Sequence, residues 1–134
     1  MRFNGHNILA IIIAAAVFYG LEYLIYAVLI PAPTYAQLSG MSAGQAEMGM
    51  SRMALGPIMP LLATIGLSFA IKWRNAAGWI GGVVTGLIMA VCFAIGTELY
   101  HYVYNAGDIN FTALNSGHYL ICYCVAGAIL GVWK

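Results

Sequence analysis

Four long apolar stretches constrain this chain more than anything else in it. Each is long enough to cross a lipid layer as a helix. The first covers about residues 8–30, carries no basic residue and stops at Pro31-Ala-Pro33. The others cover about residues 53–73, 79–102 and 113–133. In hydrocarbon a backbone must satisfy its own N–H and C=O groups, which a helix does within one segment. The predicted fold class is therefore all-α: a polytopic membrane protein, an antiparallel bundle of four transmembrane helices in a single domain over residues 1–134. The run Ala14-Ala15-Ala16 has the small residues of a signal-peptide cleavage site. The apolar stretch nevertheless continues to Ile30, far past a signal-peptide core, and reads as a span.

Composition supports this reading. Of 134 residues, 63% are apolar and 7% charged, against about 45–50% and about 25% in soluble domains. A globule this small could not hide so much apolar surface. A formal charge of +1 without a basic run excludes a nucleic-acid partner.

Charge also predicts orientation. With four spans, Arg2, Lys72, Arg74 and Lys134 share one side, while Arg52, Glu47 and Asp108 share the other. The expectation is a bacterial inner-membrane protein with both termini cytoplasmic. Trp73, Trp79 and Trp133 fall at the cytoplasmic boundary; Tyr35, Tyr100, Tyr102, Tyr104 and Tyr119 gather toward the opposite one, as aromatic belts do. In the outer loop, residues 31–52, Ser42-Ala-Gly-Gln45 has capping-box spacing, so a helix is expected to start there and continue into the second span. Pro57 and Pro60 should kink that span. The methionines of Met41–Met59 read as adaptable packing, with a soft-metal role as the sharper alternative. Asp108, Asn110, Thr112, Asn115 and Ser116 are all candidate N-caps for the fourth span.

Lipid is as apolar as leucine, so helices in it associate through close packing. Gly82 and Gly86 in the third span, and Gly127 and Gly131 in the fourth, form small-xxx-small patterns. They predict either contact within the bundle or a subunit interface.

Charged groups inside hydrocarbon are costly, and the spans contain Glu22 and Glu98. At ~1.5 Å per residue both lie ~24–28 Å from the cytoplasmic boundary, in the outer half of the membrane. His101 follows Glu98 by three residues on the same helix face, and His118 opens the fourth span at about this level. One outward-facing polar layer could collect Glu22, Glu98, His101 and His118. Such a layer could couple a proton or cation through Glu22 and Glu98. It could instead bind a metal or pigment through His101, His118 and Glu98. The plainer alternative is that Glu22 only ties one helix to another. Nothing in the sequence requires a cofactor beyond lipid contacts. Cys92, Cys122 and Cys124 have no metal-thiolate or redox spacing and read as small packing residues. No catalytic motif is present.

The final segment, from Asn115-Ser-Gly-His118-Tyr119 to Gly127-Ala-Ile-Leu-Gly131-Val-Trp133, resembles the end of the four-span bacterial membrane proteins grouped as domain of unknown function 1761. The glycine-bearing third span and the aromatic end of the first (Phe18, Tyr19, Tyr23) are similar in style, although Glu22 stands where the family leads us to expect tryptophan or a small residue. The resemblance implies a four-helix membrane fold and no established activity. The sequence thus favours an accessory or structural subunit of a homo-oligomer or larger membrane complex, packing through its glycine faces. A small proton- or cation-coupled transporter using Glu22 and Glu98 is the first alternative, and an outward-facing metal or cofactor site at His101 and His118 the second.

Overall fold

Asn4 and Gly5 open the architecture. Both have positive φ, 49° and 80°, the conformation that an Asn-Gly pair adopts in a tight hairpin turn. They join two short antiparallel strands, β1 (Arg2–Phe3) and β2 (His6–Asn7), with Phe3 opposite His6. Asn7 then caps the first helix, its side chain accepting from the Ala10 N–H. The structure, a computed structural model, describes residues 2–42 and 53–133.

Apart from that hairpin the fold is all-α. Helix α1 (Ile8–Tyr23) continues as a π-helical turn, Leu24–Leu29. Pro31 ends the run and precedes the short helix α2 (Ala32–Ser39), which Gly40 closes in a left-handed conformation. A 3₁₀ turn, Met53–Leu55, leads to α3 (Ile58–Trp73). Helix α4 (Gly78–Met89) runs through a second π-helical turn, Ala90–Ile95, into α5 (Gly96–Tyr104). The last helix, α6 (Ile109–Val132), is capped by Asp108, whose carboxylate accepts from the Asn110 and Phe111 N–H groups. Asp108 thus starts the last helix, ahead of the other candidates.

Pro57 and Pro60 do not kink a span. Pro57 is the N-cap of α3 and Pro60 lies in its first turn, where a missing N–H is no loss. The helix they open has 16 residues, or ~24 Å at the helical rise. Among the described residues, three helical runs are long and apolar enough to cross a membrane: Ile8–Leu29, Gly78–Tyr104 and Ile109–Val132, of 22, 27 and 24 residues. Beyond Ser42, the expected helix start at Ser42–Gln45 and its continuation toward Arg52 lie outside the described residues.

The interior is a narrow seam between α1, α3 and α6, built on Ala10, Ala14, Phe18, Leu67, Cys122 and Ala126. Large side chains such as Ile12, Val28, Leu62 and Phe93 point outward instead. That distribution suits a lipid solvent and would be unfavourable in water.

The four glycines form one contact. A Cβ on Gly82 would lie against the Gly127 carbonyl, and one on Gly86 against the Tyr123 carbonyl. Reciprocally, Gly127 meets the Gly82 carbonyl and Gly131 the Gly78 carbonyl. Helices α4 and α6 therefore touch backbone to backbone, and both stripes are used up inside the bundle.

One end of the bundle gathers both ends of the described chain and the α3–α4 turn. Lys72 Nζ donates to the Asn4 carbonyl at 2.6 Å, and the Asn7 amide donates to the Trp133 carbonyl at 3.2 Å. Arg74 reaches inward, donating to Thr85 Oγ at 2.6 Å, while Thr85 donates to the Gly81 carbonyl at 2.7 Å.

Candidate functional site

Toward the opposite end lies a polar layer. His118, on α6, is 5% exposed and enclosed largely by aromatic rings. Phe18 stands edge-on at 6.1 Å between centroids and Tyr26 at 5.1 Å, with Tyr119 tilted at 4.8 Å. Across the helix interface, Glu22 Oε1 of α1 lies 3.2 Å from His118 Nε2. The oxygen is within ion-pair distance of a protonated imidazole but is not aligned for a hydrogen bond, and neither ring nitrogen has a hydrogen-bond partner. With Thr112 Oγ, these are the buried side-chain polar atoms left unbonded among the described residues. Such atoms carry a desolvation cost of about 1–3 kcal/mol each, which a hydrogen-bonding guest would relieve.

A second chain of contacts holds the other carboxylate. Asn115 sits three residues before His118, on the same face of α6. Its Nδ2 donates to Glu98 Oε1 at 2.8 Å, and its Oδ1 accepts from the Tyr26 hydroxyl at 2.6 Å. One amide thereby joins α1, α5 and α6. Helix α2 covers this end: the Tyr35 ring packs edge-on against Tyr26 and Phe111, each at 5.8 Å.

The two π-helical turns flank the layer. One begins two residues after Glu22, the other ends three residues before Glu98. A π turn widens a helix locally and disturbs the regular ladder, and such turns are frequent at functional sites.

The family model described as "Protein of unknown function (DUF1761)" matches residues 9–131, most of the chain. The chain belongs to the DUF1761 family. The match takes in the α1–α5 region as well as the terminal segment on which the sequence resemblance mainly rested. It includes every member of the polar layer. No curated protein and no solved structure matches the chain.

Of the four residues expected in one layer, the structure joins Glu22 to His118 and ties Glu98 to α6 through Asn115. His101 is elsewhere: it is exposed, and its Nδ1 lies 2.8 Å from the Asn105 amide one turn along its own helix. Among the described residues no group of three or more His, Cys, Asp or Glu side chains is placed to hold a metal ion. The ligand set His101, His118 and Glu98 is therefore not assembled. The shared helix face of Glu98 and His101 does not suffice, because Asn115 holds the carboxylate toward α6 while the imidazole bonds within α5. Cys122 is buried, Cys92 exposed and Cys124 intermediate, and all three are free thiols.

Asn115 is the site residue that sequence reasoning missed in this role. It was visible only as one of several possible helix caps. Its spacing from His118 was the available signal, since a polar side chain one turn from a buried histidine shares its environment.

Proposed function

We propose that this protein is a small proton-exchanging membrane carrier in which Glu22 and His118 hold the coupling proton. One observation supports this reading: a carboxylate 3.2 Å from a buried imidazole whose two nitrogens make no hydrogen bond. A single proton shared by the pair leaves the site neutral overall, the least costly state inside a low-dielectric bundle. Losing that proton leaves an unbalanced carboxylate. The position of α1 against α6 is then linked to proton occupancy. Glu98, held by Asn115, is the second polar group at this level and serves to stabilise or relay charge.

The membrane assignment rests on the apolar helices. A bacterial inner membrane with both termini in the cytoplasm is the orientation that the basic residues favour, and the contacts of Asn7 with Trp133 and of Lys72 with Asn4 support it by placing those segments at one end. This reading takes four passes, with the 16-residue α3 as the short one. The accessory-subunit reading had the chain pack through its glycine faces; since α4 and α6 use them on each other, a partner would have to dock through another surface.

Proteoliposomes loaded with pyranine test the proposal. Under an imposed pH step, with and without sodium or potassium gradients, the wild type is expected to move protons at least tenfold faster than Glu22→Gln or His118→Gln. Equal flux in the wild type and both variants defeats the reading.

A further inference from the structure

At the end opposite the polar layer, the β1–β2 hairpin, the end of α3 and the end of α6 enclose a cavity of about 190 Å³, whose polar lining includes His6, Asn7, Ser68, Lys72 and Asn75. Trp133 forms one wall. The same indole borders an open groove of about 380 Å³ whose other walls are Ile13, Trp79, Ala128, Ile129 and Val132. A polar pocket thus adjoins an apolar trough, with one tryptophan common to both.

The chemistry of the lining selects the occupant. Among the described residues, those lining the pocket bring an ammonium group and no carboxylate. Lys72 uses one donor on the Asn4 carbonyl, which leaves two. The Asn75 amide adds further hydrogen-bonding capacity. The volume is below the ~300 Å³ at which ordinary small-molecule sites begin, so it suits a fragment such as one phosphate group better than a whole metabolite. Among the described residues the groove lining is almost wholly apolar and suits a hydrocarbon chain. Exposed Trp73, Trp79 and Trp133 place this end of the bundle at headgroup level, where a basic residue is attracted to anionic lipid.

We infer that pocket and groove together bind one anionic phospholipid, its phosphate against Lys72 and Asn75 and one acyl chain along Ile13, Ile129 and Val132. The inference rests on the membrane reading and is independent of the Glu22–His118 pair.

Native mass spectrometry of the full chain, delipidated in detergent, provides the test, with three probes: phosphatidylglycerol, phosphatidylcholine of the same acyl length, and inorganic phosphate. One phosphatidylglycerol is expected to bind about tenfold more tightly than phosphatidylcholine, and Lys72→Met to remove that preference while Lys72→Arg retains it. Because Lys72 also anchors the hairpin, Asn75→Gly supplies a second variant: glycine accepts the φ of 51° at this position, and a several-fold loss of phosphatidylglycerol is expected. Val132→Asn should weaken both lipids and leave their ratio unchanged. Glu22→Gln should bind as the wild type does. Equal retention of the two lipids, or unchanged binding in both Lys72→Met and Asn75→Gly, overturns the inference. So does inorganic phosphate binding as tightly as phosphatidylglycerol.

Discussion

Gly82→Ala tests the packing of the bundle most directly. The added carbon would stand 2.6 Å from the Gly127 carbonyl carbon and nearer still to its oxygen, whereas ordinary contacts begin at 3.4 Å. The obstacle is backbone, so no side-chain rotation can clear it. Helices α4 and α6 must separate by ~1 Å, and a gap of that size forfeits about a quarter to a half of each dispersion contact along the seam. Overpacking of this kind costs about 1–3 kcal/mol, and a rigid partner places Gly82→Ala at the upper end. Gly117→Ala is the matched control: it lies in α6 with nothing within 4 Å of its added carbon, so the better helix propensity of alanine should leave it neutral or up to about 1 kcal/mol more stable. Unfolding by sodium dodecyl sulfate in mixed micelles, followed by circular dichroism, measures both. Combining Gly82→Ala with Gly127→Ala should cost less than the sum, because the first substitution has already parted the helices. Gly82→Ala as stable as Gly117→Ala would refute the backbone contact and the reasoning built on it.

Further predictions concern the two ends of the bundle. Asn115→Leu removes the partners of both Tyr26 and Glu98 and should cost about 1–3 kcal/mol in the same unfolding assay, against about 1 kcal/mol for Tyr26→Phe. Gly5→Ala places a side chain at φ +80° and 2.7 Å from Lys72 Nζ; a loss of about 1 kcal/mol or more is expected in thermal melts. His6, buried near the Lys72 ammonium, has its imidazole pKa held below the ordinary value of about 6.5, chiefly by burial and then by that charge. The folded state thus binds this proton less readily than the unfolded chain. Its contribution is fully present above about pH 6.5 and is lost as the pH falls below that value. Melting temperatures at pH 7.5 and 5 should show this decline, and His6→Gln should reduce it.

The helices were legible because long apolar runs leave a membrane chain few alternatives, and the glycine spacing already indicated a close contact. What periodicity could not supply was the choice of partner. Gly82 and Gly127 fit a subunit interface as well as an internal one until the α4–α6 crossing is known. Glu98 and His101 share a helix face, yet the decisive group is Asn115 on another helix, joined to Glu98 by a tertiary hydrogen bond that leaves no local pattern. The prolines before and within α3 read as kinks because the start of that helix was placed too early. Asn4-Gly5 was the opposite case, a strong turn signal overlooked beside the hydrophobic segments. The π turns leave no local signature in the sequence.

The glycine contact also divides the molecule mechanically. Where two backbones meet with no side chains between them there is nothing to repack, so α4 and α6 must behave as one stiff plank. Glu22 rides on α1, which meets the plank through side chains and carries a soft π turn just beyond the carboxylate. Any rearrangement that opens the polar layer is then a swing of α1 over a stationary His118, and the gap between those two residues is the natural gauge of how far the protein has moved.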